Sequence, residues 1–183
     1  NFTGPPPGLQ NADNHNLEAD AFPVQYFKLL FSDYLFASIL EETNRYAHQT
    51  LGDDCKQPEI TMHELRSFMA LTLQMGHCQQ DTLKDYWSTQ EQYHTPFYSR
   101  VMSCTRFLHI LRVLHFSNNE NAPDKNDPDY DRFWKMRNVF SYLNNQYFSV
   151  YNPTEHLAVD EVIVLFKGRV IFRQYIPKKH KRF

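Results

Sequence analysis

The sequence predicts a mainly α-helical fold followed by a C-terminal β-hairpin, and three observations carry that prediction. Between Pro23 and Tyr151 apolar residues recur three and four positions apart, the repeat of amphipathic helices, and polar blocks separate the runs. After Pro153 the period changes. Leu157–Phe166 and Val170–Ile176 are β-branched and aromatic, with Lys167-Gly168-Arg169 between them as a turn. The composition, 42% hydrophobic with 22% charged residues, is that of a chain able to bury a core, so disorder is not expected. The expected organisation is an irregular lead-in over 1–20, a helical domain over 21–153, and a strand pair over 154–183.

The lead-in is rich in Pro, Gly and Asn, residues that interrupt regular structure. Helical patterns begin near Pro23 with the apolar run Val24–Phe31. Tyr34–His48 follows, placing Leu35, Ile39 and Leu40 on one face and Glu41, Glu42 and Arg45 on the other. Thr50–Glu59 reads as a polar loop. Thr61-Met62-His63-Glu64 has the form of a capping box, in which the threonine hydroxyl and the glutamate satisfy each other's backbone N–H groups. Leu65, Phe68, Met69, Leu71, Thr72 and Met75 continue at helical spacing, with Gly76 as the expected stop.

A shorter amphipathic piece is expected at Asp81–Tyr86. Ser103 then caps a helix with Phe107, Leu108, Leu111, Leu114 and His115 inward, while Arg106, His109 and Arg112 recur on another face. Residues 118–131 are polar, acidic and interrupted by proline, hence a loop. Phe133–Tyr151 is the last long helix, with Trp134, Val139, Phe140, Leu143, Tyr147 and Phe148 as its apolar stripe and Pro153 just beyond its end. Trp87 and Trp134 are assigned to the core.

The charge is unevenly distributed. The formal net charge is −2, yet residues 167–183 hold seven Lys/Arg and no Asp or Glu: Lys167, Arg169, Arg173, Lys178, Lys179, Lys181 and Arg182. A short basic block on an acidic body points to a local contact with a polyanion. The block has three readings: a solvated strand end, a nuclear-localisation patch, and a hairpin that touches phosphates. Composition alone leaves all three open. Arg106, His109 and Arg112 form a second DNA-facing candidate, although a solvated helix face is the favoured reading there. Cys55, Cys78 and Cys104 lack C-x-x-C spacing, so neither a disulfide framework nor a zinc site is expected, only reduced and mostly buried thiols. No apolar run is long enough for a membrane span and no signal-peptide pattern is present, so a soluble intracellular chain without membrane contact is expected.

Asp160 and Glu161 stand in the first half of an otherwise apolar strand. A strand that reads VIVLF without alternation is usually covered on both faces, where an uncompensated carboxylate costs several kcal/mol. Successive side chains point to opposite faces, so only one of the two can face a given site. The residues alone leave two readings open, a solvated strand end and a site that uses one carboxylate.

The stretch Glu155-His156-Leu157-Ala158-Val159-Asp160-Glu161, then Phe166-Lys167-Gly168-Arg169, then Phe172-Arg173-Gln174-Tyr175-Ile176-Pro177 with Lys179 beyond, resembles the signature around the first active-site aspartate of piggyBac transposases. The likeness extends to Phe2-Thr3-Gly4 with Gly8-Leu9, to Glu41–Ala47, to Glu64-Leu65 through Met75-Gly76, and to Asp85-Tyr86-Trp87-Ser88. It includes Met102-Ser103, Arg106-Phe107 and Leu114-His115-Phe116 as well, so nearly the whole chain is covered in the family's order. His180 departs from the family, whose members often carry a second proline there.

The resemblance implies that the helical region is a dimerisation and DNA-binding domain and that the strands begin an RNase H-like α/β core. It implies cut-and-paste transposition at TTAA sites through three aspartates that hold divalent metal, Mg²⁺ being the expected ion. Two metals about 4 Å apart stabilise the attacking and leaving oxygens of phosphodiester chemistry, and hard cations take carboxylate oxygens. Asp160 is the counterpart of the first aspartate, both as catalytic residue and as metal ligand. The second and third lie downstream in the family, as does a cysteine-rich zinc-binding tail. The 183 residues are therefore expected to be inert as a nuclease by themselves. The implied partners are double-stranded DNA and a second copy in a homodimer, the implied location is the nucleus, and the resemblance favours the basic block as a phosphate-contacting hairpin beside the catalytic strand. The alternative is a domesticated transposase-derived module that binds DNA or protein without catalysis.

Overall fold

The computed structural model describes residues 4–10, 17, 20–52 and 57–158. Six α-helices lie among them: α1 (Pro23–Leu30), α2 (Asp33–Leu51), α3 (Met62–His77), α4 (Pro96–Val101), α5 (Cys104–Val113) and α6 (Trp134–Val150). Two short 3₁₀ turns occupy Asp85–Trp87 and Asn119–Asn121, and two strands, β1 (Gly8–Leu9) and β2 (Tyr151–Asn152), pair antiparallel. The described part is thus mainly helical, as expected. The predicted hairpin of 157–176 lies outside the described residues from Val159 onward.

Local chemistry sets most helix starts. Pro23 at the first position of α1 loses no hydrogen bond there, and the Gln25 side chain accepts from the Phe22 N–H at 2.7 Å. Ser32 and Ser103 cap α2 and α5 by accepting from the N–H groups of Leu35 and Arg106. The capping box of α3 is formed: Thr61 Oγ1 accepts from Glu64 N–H at 3.2 Å, and Glu64 Oε2 accepts from Thr61 N–H at 2.9 Å. Each such cap is worth about 1 kcal/mol. Helix α2 ends at Gly52, whose φ of +67° suits a residue without Cβ.

The core lies between α2, α3 and α5. Leu65, Leu71 and Ile110 are fully buried and Phe107 is 1% exposed, with Leu35, Phe36, Ile39, Phe68 and Val113 around them. Phe68 and Phe107 pack ring against ring at 4.7 Å, and Trp87 lies 5.0 Å from Phe107. The Trp87 indole N–H donates to Met102 O at 2.8 Å, so its assignment to the core holds. Polar groups inside are satisfied in pairs: buried Thr43 donates to His115 O and accepts from His115 N–H, and the Asn44 amide exchanges two hydrogen bonds of 2.9 Å with the Ile60 backbone. These bonds fasten α2 to the end of α5 and to the strand-like entry of α3.

Several expectations need correction. On α5, Phe107 is buried and Leu114 packs on the core as expected, but Ile110 and Val113 complete the inward face and Leu111 is 45% exposed. Gly76 does not stop α3; the helix runs to His77 and closes when Cys78 N–H donates to Gln74 O, since one glycine costs a helix only about 1 kcal/mol. Asp81–Tyr86 forms bends and the 3₁₀ turn rather than an amphipathic helix, with Asp85 accepting from Thr82 N–H. Cys78 is exposed, not buried. On α6, Val139, Tyr142 and Leu143 pack on the core, whereas Phe140, Tyr147 and Phe148 face outward. Trp134 is only half-buried. Helix α4 was not expected at all.

Candidate functional site

The described chain ends just short of Asp160, so what the structure gives is the approach to that residue. Helix α6 passes directly into β2, and β2 is held by the N-terminal segment. Gly8 pairs with Asn152 and Leu9 with Tyr151. Around them Gln10 N–H donates to Val150 O at 2.7 Å, Gln10 Nε2 to Phe148 O at 3.1 Å, and Asn152 Nδ2 to Pro6 O at 3.2 Å. Residues 6–10 of the expected lead-in therefore form a strap across the exit of α6, eight residues before Asp160. Gly8 adopts φ +121°, a conformation that side chains other than glycine's resist. Sequence reading missed this strap because its partners are more than 140 residues apart and each strand is two residues long.

Asp160 and the basic residues Lys167, Arg169, Arg173, Lys178, Lys179, Lys181 and Arg182 all lie outside the described residues. Among the described residues, no group of three or more His, Cys, Asp or Glu side chains is placed to hold a metal ion. The described part thus offers no fit for the implied divalent cation.

The second candidate, the Arg106, His109 and Arg112 face, is described in full and divides into unlike parts. Arg106 is neither solvated nor turned outward: its side chain is 11% exposed. Its guanidinium grips Glu64 with two bonds, Nε to Oε1 at 2.7 Å and Nη2 to Oε2 at 3.0 Å. The remaining donors reach Pro58 O and Glu59 O at 3.0 Å each. This planar fork spends its hydrogen-bonding capacity inside the fold. The bonds from Arg106 hold the Glu64 carboxyl down to about 2, with Thr61 reinforcing the shift against the opposing effect of partial burial.

His109 is half-buried, and burial, followed by the positive charges of Arg106 and Arg112, keeps its pKa below the ordinary imidazole value. It borders a shallow depression with Asn44, Ala47, His48 and Glu59, across which His48 Nε2 and Glu59 Oε1 meet at 2.9 Å. Only Arg112 of the three is exposed. The face is thus a structural joint with one outward cation. No spacing in the sequence could have disclosed it, because the capping-box glutamate and its arginine are 42 positions apart.

Comparison with known proteins gives matches of three kinds. The model of a family described as Transposase IS4 matches residues 22–183. PiggyBac transposable element-derived protein 3 of Homo sapiens is 26% identical over 164 residues, which is 88% of this chain and 26% of that protein. PiggyBac transposable element-derived protein 2 of Homo sapiens is 27% identical over 143 residues, 78% of this chain and 22% of that protein. The chain therefore spans about a quarter of the length of these curated relatives. A cryo-EM structure of a piggyBac transposase synaptic complex with hairpin DNA has the same fold, with a TM-score of 0.80 at 23% identity, covering 96% of this chain and 36% of that one.

Proposed function

The chain belongs to the Transposase IS4 family, of the piggyBac type, and from that premise we propose that it is part of a transposase that cuts and rejoins DNA. The observation that carries the reading is the family match, which runs through Asp160 and the basic block to Phe183. In this reading 21–153 is a dimerisation and DNA-binding domain, and 154–183 supplies the first strand pair of an RNase H-like core. Asp160 is its first active-site carboxylate. A divalent ion such as Mg²⁺, when held by carboxylates, would supply the charge that stabilises the attacking and leaving oxygens. The 183 residues contribute one of the three aspartates that the resemblance implies, so by themselves they bind DNA without cleaving it. The polyanion partner is duplex DNA and the compartment is the nucleus.

The binding half of this proposal is tested with the chain itself. Fluorescence anisotropy against a short duplex should give an affinity that falls steeply with salt. Removing the charges of Lys178, Lys179, Lys181 and Arg182 should flatten the log–log salt slope by about 3 to 4. No binding at low salt, or a slope that those changes leave intact, would sink it. The catalytic half is tested in a full-length member of the family with an aspartate at the position of Asp160: Asp→Asn there should abolish strand cleavage and spare binding.

A second reading, a transposase-derived module without catalysis, is favoured by the relatives whose names describe them as derived from transposable elements. The codons after Phe183 separate the two readings. Two further core aspartates support the enzyme, and a stop codon supports the module.

A further inference from the structure

Helix α6 carries a second apolar face that has no cover among the described residues. Val139, Tyr142 and Leu143 pack against the core. Phe140, Tyr147, Phe148 and Tyr151 are 51, 56, 86 and 53% exposed, at positions i, i+7, i+8 and i+11, which share one stripe. Residues 138–152 contain no charged side chain, although 22% of the whole chain is charged. Exposed aromatic rings without charge have the composition of the centre of a protein interface. A phosphate backbone, held chiefly by Lys and Arg, finds nothing to grip there.

We propose that this stripe is the contact between two copies of the chain, their α6 helices crossing antiparallel about a two-fold axis near Asn144. Phe140, the exposed Asn144 and Phe148 lie four residues apart on one ridge. Reversed about Asn144 the ridge repeats itself, so that Phe140 of each copy meets Phe148 of the other and Asn144 meets its counterpart. An amide both donates and accepts, so it can satisfy itself across such an axis and fix the register. A two-fold contact requires a self-complementary patch of this kind.

Area and charge favour a second copy over an unlike protein. A buried aromatic side chain covers about 150–250 Å². At the exposures above, the four rings offer roughly 500 Å² per copy and roughly 1,000 Å² between two, the least that a specific interface needs. A stripe without charge has no pattern for an oppositely charged partner to match, and it meets itself without like-charge repulsion. The cation beside it, Arg137, lies 5.7 Å from the Phe140 ring centre and is already paired with Asp131 at 2.7 Å. The other end is held by the pairing of Gly8 and Leu9 and by Gln10, so the stripe is presented in one shape. This contact gives a seat to the dimerisation assigned above to 21–153, and in that respect rests on that reading.

The test is sedimentation velocity of the 183-residue chain across the micromolar range, with circular dichroism as the check on folding. A monomer–dimer equilibrium is expected, and Phe148→Glu should raise its dissociation constant by about tenfold or more, the scale of a central interface residue. A monomer throughout, or a dimer that Phe148→Glu leaves equally tight, would overturn the proposal. If that variant misfolds, Asn144→Cys decides. Under mild oxidation, peptide mapping should find position 144 joined to position 144, and joins to the native cysteines alone, or none, would overturn it. Hydroxyl-radical footprinting addresses the other occupant: Tyr147 and Phe148 still protected in the dilute monomer would assign the stripe to another part of the same chain and overturn it too. Binding of duplex DNA by the same samples keeps the two readings apart. A monomer that binds DNA sinks the dimer contact alone, and a stripe-dependent dimer that ignores DNA sinks the transposase reading alone.

Discussion

Helices α5 and α6 are both amphipathic by sequence, but they end in opposite states. Helix α5 buries Phe107, Ile110 and Val113 to 1% exposure or less between α2 and α3. Helix α6 is fastened by its contacts with α1, by Ser32 against the Tyr142 hydroxyl, by Ser117 donating to Lys135 O at 2.9 Å, and at its end by Gln10. Its outer side presents aromatic rings to solvent. The difference teaches that the α2–α3–α5 unit is closed by its own residues, whereas α6 leaves an aromatic stripe exposed among the described residues. The closed unit is where substitutions should hurt most.

The sharpest test of that contrast lies within α5. Phe107→Ala removes a ring packed against Phe68 and Trp87 and should destabilise the chain by about 3–5 kcal/mol. Leu111→Ala, four residues on and exposed, should change stability by no more than about 0.5 kcal/mol. Urea unfolding followed by circular dichroism measures both. Equal costs would mean that the helix is turned otherwise and that the closed unit is not where we place it.

The second test takes the joint rather than the core. Arg106→Ala strands the Glu64 carboxylate and leaves the Pro58 and Glu59 carbonyls without their donor, at a cost of about 2–3 kcal/mol. Arg106→Lys keeps the charge but not the fork, and should recover only part of the loss. A role in DNA contact alone predicts the reverse pattern, unchanged stability with weaker DNA binding. That pattern would return Arg106 to the DNA-facing set.

What the sequence disclosed and what it hid follow one physical line. Local chemistry was legible: the Thr61–Glu64 box, the Ser103 cap and the start of α1 at Pro23 depend on residues within a turn of each other. The stripe of α5 was read correctly at Phe107 and Leu114 but not between them, because Leu108 and Leu111 are as apolar as Ile110 and Val113 and only packing against α2 and α3 chooses among them. Helix α4 has six residues, too few for a period to emerge. The β1–β2 strap and the Arg106–Glu64 joint are long-range and polar, and no local pattern encodes either. Of the candidate site, Asp160 lies outside the described residues, and its proposed role rests on family likeness rather than on spacing, which leaves it balanced between a site and a solvated strand end.

The smallest effect expected is a pH dependence, and its sign follows from Glu64. In the unfolded chain this carboxyl titrates near 4.5, and in the folded chain Arg106 holds it down to about 2. A depressed carboxylate contributes stability that is fully present above the unfolded value and is lost as pH falls through the folded one. The shift corresponds to about 2 kcal/mol after allowance for a side chain that is 28% exposed. His109 adds a separate loss at higher pH, since the unfolded imidazole takes a proton before the folded one does, so stability begins to fall near 6.5. Comparison with Glu64→Gln isolates the carboxylate. The variant should lose the slope between about pH 4.5 and 2 while keeping the histidine-linked fall above it. If both proteins lose stability in parallel across the lower window, the Arg106–Glu64 pair is not what closes the α3–α5 joint, and the contrast between the closed unit and α6 would rest on apolar packing alone.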